Sequence, residues 1–232
     1  MNEIIKRYLN SDFSIEELFI FLDEQKEKKL VFSSSLSIED QVITDLIAKY
    51  APSIQVFTLD TGRLPQETYE LITRTKEKYP TLNFKIYMPD TQLLQNMINK
   101  HGINLFYESV EKRKLCCNIR KIEPLARALE GFDGWITGLR KEQSVTRAEL
   151  EILEIDTNFN LLKLNPLLLW SEDEVWNYIQ QNNIPYNRLY DLGYKSIGCN
   201  PCTKSVDKDS SLRDGRWWWE ELEHKECGLH AR

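Results

Sequence analysis

The sequence predicts an α/β protein, a mainly parallel sheet covered by helices. Short β-branched or aromatic runs (KLVFSSS, IQVFTLD, FKIYMPD, GWITGL and LLKLNPLLL) alternate with segments whose apolar residues recur at helical spacing. Strands joined through crossover helices run parallel, and the helices cover the sheet. A chain of 232 residues, 41% hydrophobic and 28% charged, has ordinary globular composition and is long enough to bury one such core.

A first helix is expected from Ser14 to about Lys28, packed ahead of the sheet. The KLVFSSS strand feeds a helix from about Glu39 to Tyr50, and IQVFTLD feeds one from Pro65 to Tyr79, with Pro65 suited to a helix start. After FKIYMPD come helices over Thr91 to His101 and Arg120 to Glu130. After LLKLNPLLL the SEDE that follows Trp170 caps a helix over Ser171 to Gln181. Beyond about Ile184 the pattern turns to Gly, Ser, Asp, Arg and Trp, and this end is expected as a functional tail. The domain division is 1–203 for the α/β body and 204–232 for the tail. There is no internal repeat or low-complexity linker.

The net charge of -6 argues against nucleic acid and anionic membrane as partners, so any anionic ligand must be met locally. MNEIIKRYLN lacks the apolar core of a signal peptide, and no apolar stretch is long enough to cross a bilayer. The expectation is a cytoplasmic protein. In that compartment thiols stay reduced, so clustered cysteines point to metal binding or catalysis.

Ligands of open parallel sheets sit outside the carboxyl ends of the strands. At the first of these ends stand Ser33, Ser34, Ser35 and Ser37, leading into a helix. Helix N-terminal amides and serine hydroxyls suit phosphate or sulfate, although an ordinary capped turn has the same look. No Walker-type pattern is present, so ATP hydrolysis is not implied. At the second end TLDTGRLP places Leu59 to face a nucleotide edge, Asp60 and Thr61 to order a turn with Gly62, and Arg63 to offer a fork to an oxyanion. At the fourth, TGLRKEQSVTR sets Arg140, Lys141 and Arg147 beside Gly138, where a backbone can approach a ligand closely.

The cysteines are more specific. Cys116 and Cys117 are adjacent, and Cys199 and Cys202 follow about eighty residues later. Four thiolates suit structural zinc or an iron–sulfur cluster. Zinc knuckles favour paired Cys-x-x-Cys spacing. Neighbouring cysteines diverge by about 100° at a helix start, which favours the larger cluster, with zinc still open. Arg120 and Lys121 then stand as cations beside a negatively charged centre. Cys227, in KECGLH beside Lys225 and His230, has the company of a thiolate nucleophile. Arg213 and Arg216 precede Trp217, Trp218 and Trp219, which carry enough apolar area to anchor the tail or dock a partner.

Together SSSLSIEDQ, LDTGRLPQETY, CCNIRKIEPL, ITGLRKEQSVTR, KLNPLLLWSEDEVWNYI, IPYNRLYDLGYKSIGCNPCT, RDGRWWWE and KECGLH resemble the assimilatory sulfonucleotide reductases, within them the iron–sulfur adenylyl-sulfate (APS) reductases. The resemblance covers about Leu30 to His230. It implies an adenine nucleotide alpha-hydrolase-like fold, a twisted sheet with helices on both faces plus a C-terminal catalytic tail. It implies a 4Fe-4S cluster on Cys116, Cys117, Cys199 and Cys202. Cys227, with His230, would attack the sulfur of APS, and thioredoxin or a glutaredoxin-like reductant would release sulfite. Ser33, Ser34, Ser35, Ser37, Arg140, Arg147, Arg213, Arg216 and His230 would hold the phosphosulfate, Lys121 would lie between cluster and substrate, and Leu59 and Gly138 would approach the nucleotide. The 3′-phosphorylated nucleotide PAPS is the alternative substrate, and a homo-oligomer is compatible with this reading. The loop departs from the family's pattern at Ser37, where many relatives carry Gly. Residues from about Lys204 onward are expected to close over bound APS as a lid.

Overall fold

A computed structural model describes residues 7–9, 13–143 and 149–221. Its sheet has six strands in the order β3-β2-β1-β4-β6-β5. They are β1 (Leu30–Ser34), β2 (Gln55–Leu59), β3 (Phe84–Tyr87), β4 (Gly134–Ile136), β5 (Leu153–Asp156) and β6 (Leu161–Leu164). β1 pairs in parallel with β2 and β4, and β4 with β6, while β5 runs antiparallel to β6. The mainly parallel sheet is as the sequence predicts.

The helices are α1 (Ile15–Glu24), α2 (Ile38–Tyr50), α3 (Gln66–Lys78), α4 (Thr91–His101), α5 (Val110–Cys117), α6 (Glu123–Leu129) and α7 (Glu172–Gln181). Capping boxes start α1 at Ser14 with Glu17 and α7 at Ser171 with Glu174, each satisfying two otherwise orphaned backbone donors. α1 stops at Glu24, short of the expected Lys28. α2 has ten consecutive buried residues from Ile38 to Ile47, including Glu39, Asp40, Gln41 and Asp45, so it is buried all round. No helix among the described residues is long and apolar enough to cross a membrane.

Two differences from the sequence reading bear on the site. β5 was not expected: its four residues alternate the wrong way for an inward apolar face, with Ile155 exposed and Asp156 buried. Asp156 is inside because its carboxylate accepts from the backbone of Asn158 and Phe159 in the following turn. The double cysteine does not begin a helix. It ends α5, which runs directly through a π-helical turn (Asn118–Ile122) into α6, so the helix expected from Arg120 is the later part of a longer run.

The chain gathers into two compact units, Met1–Thr58 with Glu70–Lys85 and Gly131–Asn187, and Leu59–Tyr69 with Ile86–Glu130 and Arg188–Arg232. The core of the first includes Phe19, Val31, Phe32, Ile43, Leu46, Val56, Phe57 and Ile136. That of the second is built from Met97, Leu105, Phe106, Cys116, Cys202 and Trp217.

Candidate functional site

In the first unit the serines stand where β1 gives way to α2. Ser33 is half-buried and Ser34 buried at the end of the strand, and Ser37 is the N-cap of α2, its hydroxyl accepting from Asp40 N. Ser34 Oγ accepts from Leu36 N. Ser35 donates through both its N–H and its hydroxyl to Asp40 Oδ2, each at 2.6 Å. The turn is closed by Leu36 in the left-handed region (φ 65°), a costly conformation for a residue with a side chain. Ser37 sits at φ -67°, ψ 170°, open to any L residue, so its departure from Gly brings no strain.

Asp40 is a member of this group that sequence reasoning did not single out. Burial pushes its carboxyl from the ordinary 3.8 up to about 6, against the hydrogen bonds from Ser35 that favour the anion. It also explains Gly138: a Cβ there would overlap Asp40 Oδ1 and lie 3.1 Å from Glu39 Cβ. Arg140 is buried beside it, with Nε donating to Glu39 Oε1 at 2.8 Å and Nη1 to Glu142 Oε2 and the Trp170 carbonyl. Its guanidinium is therefore already engaged by carboxylates and backbone.

In the second unit Cys116, Cys117, Cys199 and Cys202 line one small cavity, together with Arg63, Phe106, Arg113, Arg120, Lys121 and Pro201. All four are free thiols. The LDTGR turn fastens this cavity rather than standing apart from it. Asp60 accepts from Gly62 N in the expected turn, with Gly62 at φ 70°, and Thr61 Oγ1 meets Cys199 Sγ at 3.2 Å. Arg120 Nη1 donates to the Thr61 carbonyl, and Asn200 N to the Arg63 carbonyl. Arg63, expected as an oxyanion fork, donates to Ile103 O and Asn104 Oδ1 and stacks over Phe106 at 5.0 Å.

Burial and neighbouring sulfurs make two of these thiols, Cys116 and Cys202, hard to ionise. Cys202 is pushed up to about 12, by burial first and then by Cys199 and Cys117, and Cys116 is raised by burial against the pull of Arg120. Among the described residues no three His, Cys, Asp or Glu side chains converge tightly enough for a single metal ion. Four thiols on one cavity lining are a donor set that zinc or an iron–sulfur cluster takes. Arg120 Nε, on the cavity wall, is buried without a partner, leaving a donor that a cluster sulfur would satisfy. The residues present fit the cluster.

Trp217 is 1% exposed and belongs to the second unit's core, its backbone N–H donating to the Cys202 carbonyl. Arg113, Arg216 and Arg213 lie over its ring at 4.5, 4.7 and 5.6 Å. Arg216 also packs on Gly198, where a Cβ would overlap its guanidinium. The stretch expected as a lid is thus fastened from Lys204, whose N–H donates to Gly215 O, through Glu220, which pairs with Arg113. Leu59 ends β2 and Lys121 lies in the π-helical turn. Arg147, Cys227 and His230 lie outside the described residues.

Sheet, crossovers and loops at the strand ends define an adenine nucleotide alpha-hydrolase-like α/β protein, here carrying a thiol-lined cavity. A model of the phosphoadenosine phosphosulfate reductase domain matches residues 29–205, and the chain belongs to that family. It is 50% identical over 203 residues to the adenosine 5'-phosphosulfate reductase of Allochromatium vinosum, covering 88% of this chain and 79% of that one. It is likewise 50% identical to the protein of that name from Neisseria meningitidis serogroup A, covering 86% and 82%. The crystal structure of phosphoadenylyl-sulfate (PAPS) reductase from Candida auris, in a phosphate complex, superposes with a TM-score of 0.73 at 28% identity, covering 88% of this chain and 95% of the other.

Proposed function

We propose that this chain reduces adenylyl sulfate to sulfite and AMP in the cytoplasm, with thioredoxin as electron donor. Supporting this is one observation: cysteines from segments about eighty residues apart line a single cation-flanked cavity, in a chain half identical to proteins named adenosine 5'-phosphosulfate reductase. Cys116, Cys117, Cys199 and Cys202 would hold a 4Fe-4S cluster. When bound, the cluster supplies a structural and electrostatic support and carries none of the electrons. Holding it requires deprotonated thiols, and burial that keeps Cys202 protonated in the bare protein makes a compensating metal charge necessary.

The chemistry belongs to Cys227. Its thiolate attacks the sulfur of APS, forming a sulfur–sulfur bond as the bond to the phosphate oxygen breaks and AMP leaves. A thioredoxin thiolate then attacks Cys227 Sγ, sulfite departs with the bonding pair, and the second thioredoxin thiol closes its disulfide, freeing Cys227. Thiolate attack on a sulfur ringed by anionic oxygens is repelled, so cations must screen both partners. Arg147, Arg213, Arg216, Lys121 and His230 are the groups for that role. Ser33, Ser34, Ser35 and Ser37 would hold the phosphosulfate, with Arg140 beside them, and Leu59 and Gly138 would flank the nucleotide.

The test is anaerobic purification with iron and acid-labile sulfide analysis, then sulfite assay with reduced thioredoxin on wild type and Cys227→Ser, with APS and PAPS compared. Iron with matching sulfide, APS preference and a dead but iron-loaded variant are expected. A colourless zinc protein, or sulfite production by Cys227→Ser, overturns the proposal.

A further inference from the structure

We infer that Asn165, acting through Thr137, is a positioning residue for the loop of residues 138–140, beside which the nucleotide is placed; the inference rests on the reductase reading above. Thr137 is the first residue beyond β4 and Asn165 the first beyond β6, and the two are 2% and 0% exposed. The Thr137 hydroxyl donates to Asn165 Oδ1 at 2.5 Å, and its N–H to the Leu164 carbonyl at 2.9 Å. Both donors of Thr137 are thus engaged by the end of β6, immediately before Gly138. The far side of the loop returns to the same residue, since Lys141 N donates to Leu168 O and Leu168 N to Asn165 O. Asn165 is itself fixed by the chain ahead of β5, its N–H donating to Ile152 O and its Nδ2 to Glu151 O. Asp40 limits the loop as well, because a Cβ on Gly138 would overlap its carboxylate.

Stability alone does not account for the pair. Burying an amide and a hydroxyl costs desolvation that apolar residues of similar size avoid. What the hydrogen bonds add is direction. Without the Thr137 hydroxyl, the entry to the loop would be set by packing alone. A ligand met by backbone groups needs that backbone held to within about 0.5 Å. Contacts to the nucleotide are alike before and during attack on the sulfur, so a loosened loop should weaken binding and leave the chemical step alone.

The experiment uses the full chain, purified anaerobically, as wild type, Asn165→Ala, Thr137→Val and Thr137→Ser; Val keeps the shape and loses the hydroxyl, and Ser keeps the hydroxyl. For Asn165→Ala and Thr137→Val, at wild-type iron content, KM for APS and Kd for AMP should rise about tenfold while kcat at saturating APS stays within about twofold. Thr137→Ser should keep the wild-type constants. In nucleotide-free protein, peptides spanning residues 138–141 should exchange amide hydrogens faster in Thr137→Val than in wild type or Thr137→Ser. Wild-type KM and Kd in Thr137→Val, a fall confined to kcat, or Ser as impaired as Val overturns the proposal. Should Asn165→Ala not fold, the two Thr137 variants decide. If wild type neither binds AMP nor reduces APS, the reductase reading fails, and the exchange rates still decide whether Asn165 and Thr137 hold the loop.

Discussion

The carboxylate of Asp40 holds Ser35 by both of that residue's donors, N–H and hydroxyl, at 2.6 Å each. The serine turn is therefore shaped from beneath by a buried anion before any ligand arrives. Because burial raises the folded carboxyl from 3.8 to about 6, the folded state holds its proton more tightly than the unfolded chain. The sign follows directly. Asp40's contribution is most favourable below about pH 4 and is lost as pH rises to about 6, a change on the order of 3 kcal/mol. Asp40→Asn removes this slope, so its stability relative to wild type rises across that window and levels above it. Urea unfolding at a series of pH values checks this; parallel curves for the two proteins would exclude it.

Gly138→Ala tests the same contact from the other side. The added methyl would overlap Asp40 Oδ1 and crowd Glu39 Cβ, inside a buried helix that has little room to yield. Overpacking of this kind costs about 1–3 kcal/mol. The unfolding midpoint should fall accordingly, and nucleotide binding should weaken with it as the serine turn shifts.

Leu36→Gly sets two effects against each other. Glycine relieves the left-handed backbone, a gain of about 1–2 kcal/mol. It also removes a side chain that is 3% exposed, and emptying a Leu site costs about 2–5 kcal/mol. The loss wins, so the variant should be less stable by about 1–3 kcal/mol in denaturant melts; a more stable variant would mean that the left-handed turn stores more strain than burial repays.

Where the sequence was informative, the signal was local. Strands β1, β2, β3, β4 and β6 show as short β-branched or aromatic runs, and α1 and α7 announce themselves through Ser14 with Glu17 and Ser171 with Glu174. The cysteine set was visible from residue type and spacing, and the structure brings all four to one cavity. What escaped depends on partners far away in the chain. α5 reads as a charged, weakly amphipathic stretch because its buried Arg113 is satisfied by Glu220, 107 positions on. Asp40 looks like an ordinary first-turn acid, since only the folded packing of Ser35 and Gly138 reveals its role. Arg63 reads as an oxyanion fork and Arg140 as a loop cation beside Gly138, and no sequence pattern discloses that Asn104 and Glu39 engage them.

Cys202 is buried among other sulfurs, so in iron-free protein its thiol stays protonated well past neutrality, with its pKa pushed up to about 12. At pH 8 the thiolate fraction is then about 10⁻⁴, roughly a thousandfold below that of an unperturbed thiol, and alkylation proceeds through the thiolate. Iodoacetamide should label Cys202 in the folded apo-protein far more slowly than in the same protein unfolded in urea. On the proposed reading, in which the four thiols take an iron–sulfur cluster, iron loading expels that proton, so reconstitution should release acid and run faster at pH 9 than at pH 7. Peptide mapping of the alkylated protein and stopped-flow reconstitution measure the two rates. Labelling of folded Cys202 at the unfolded rate would show that its surroundings do not hold the proton, and the case for a metal-compensated cage would lose its electrostatic footing.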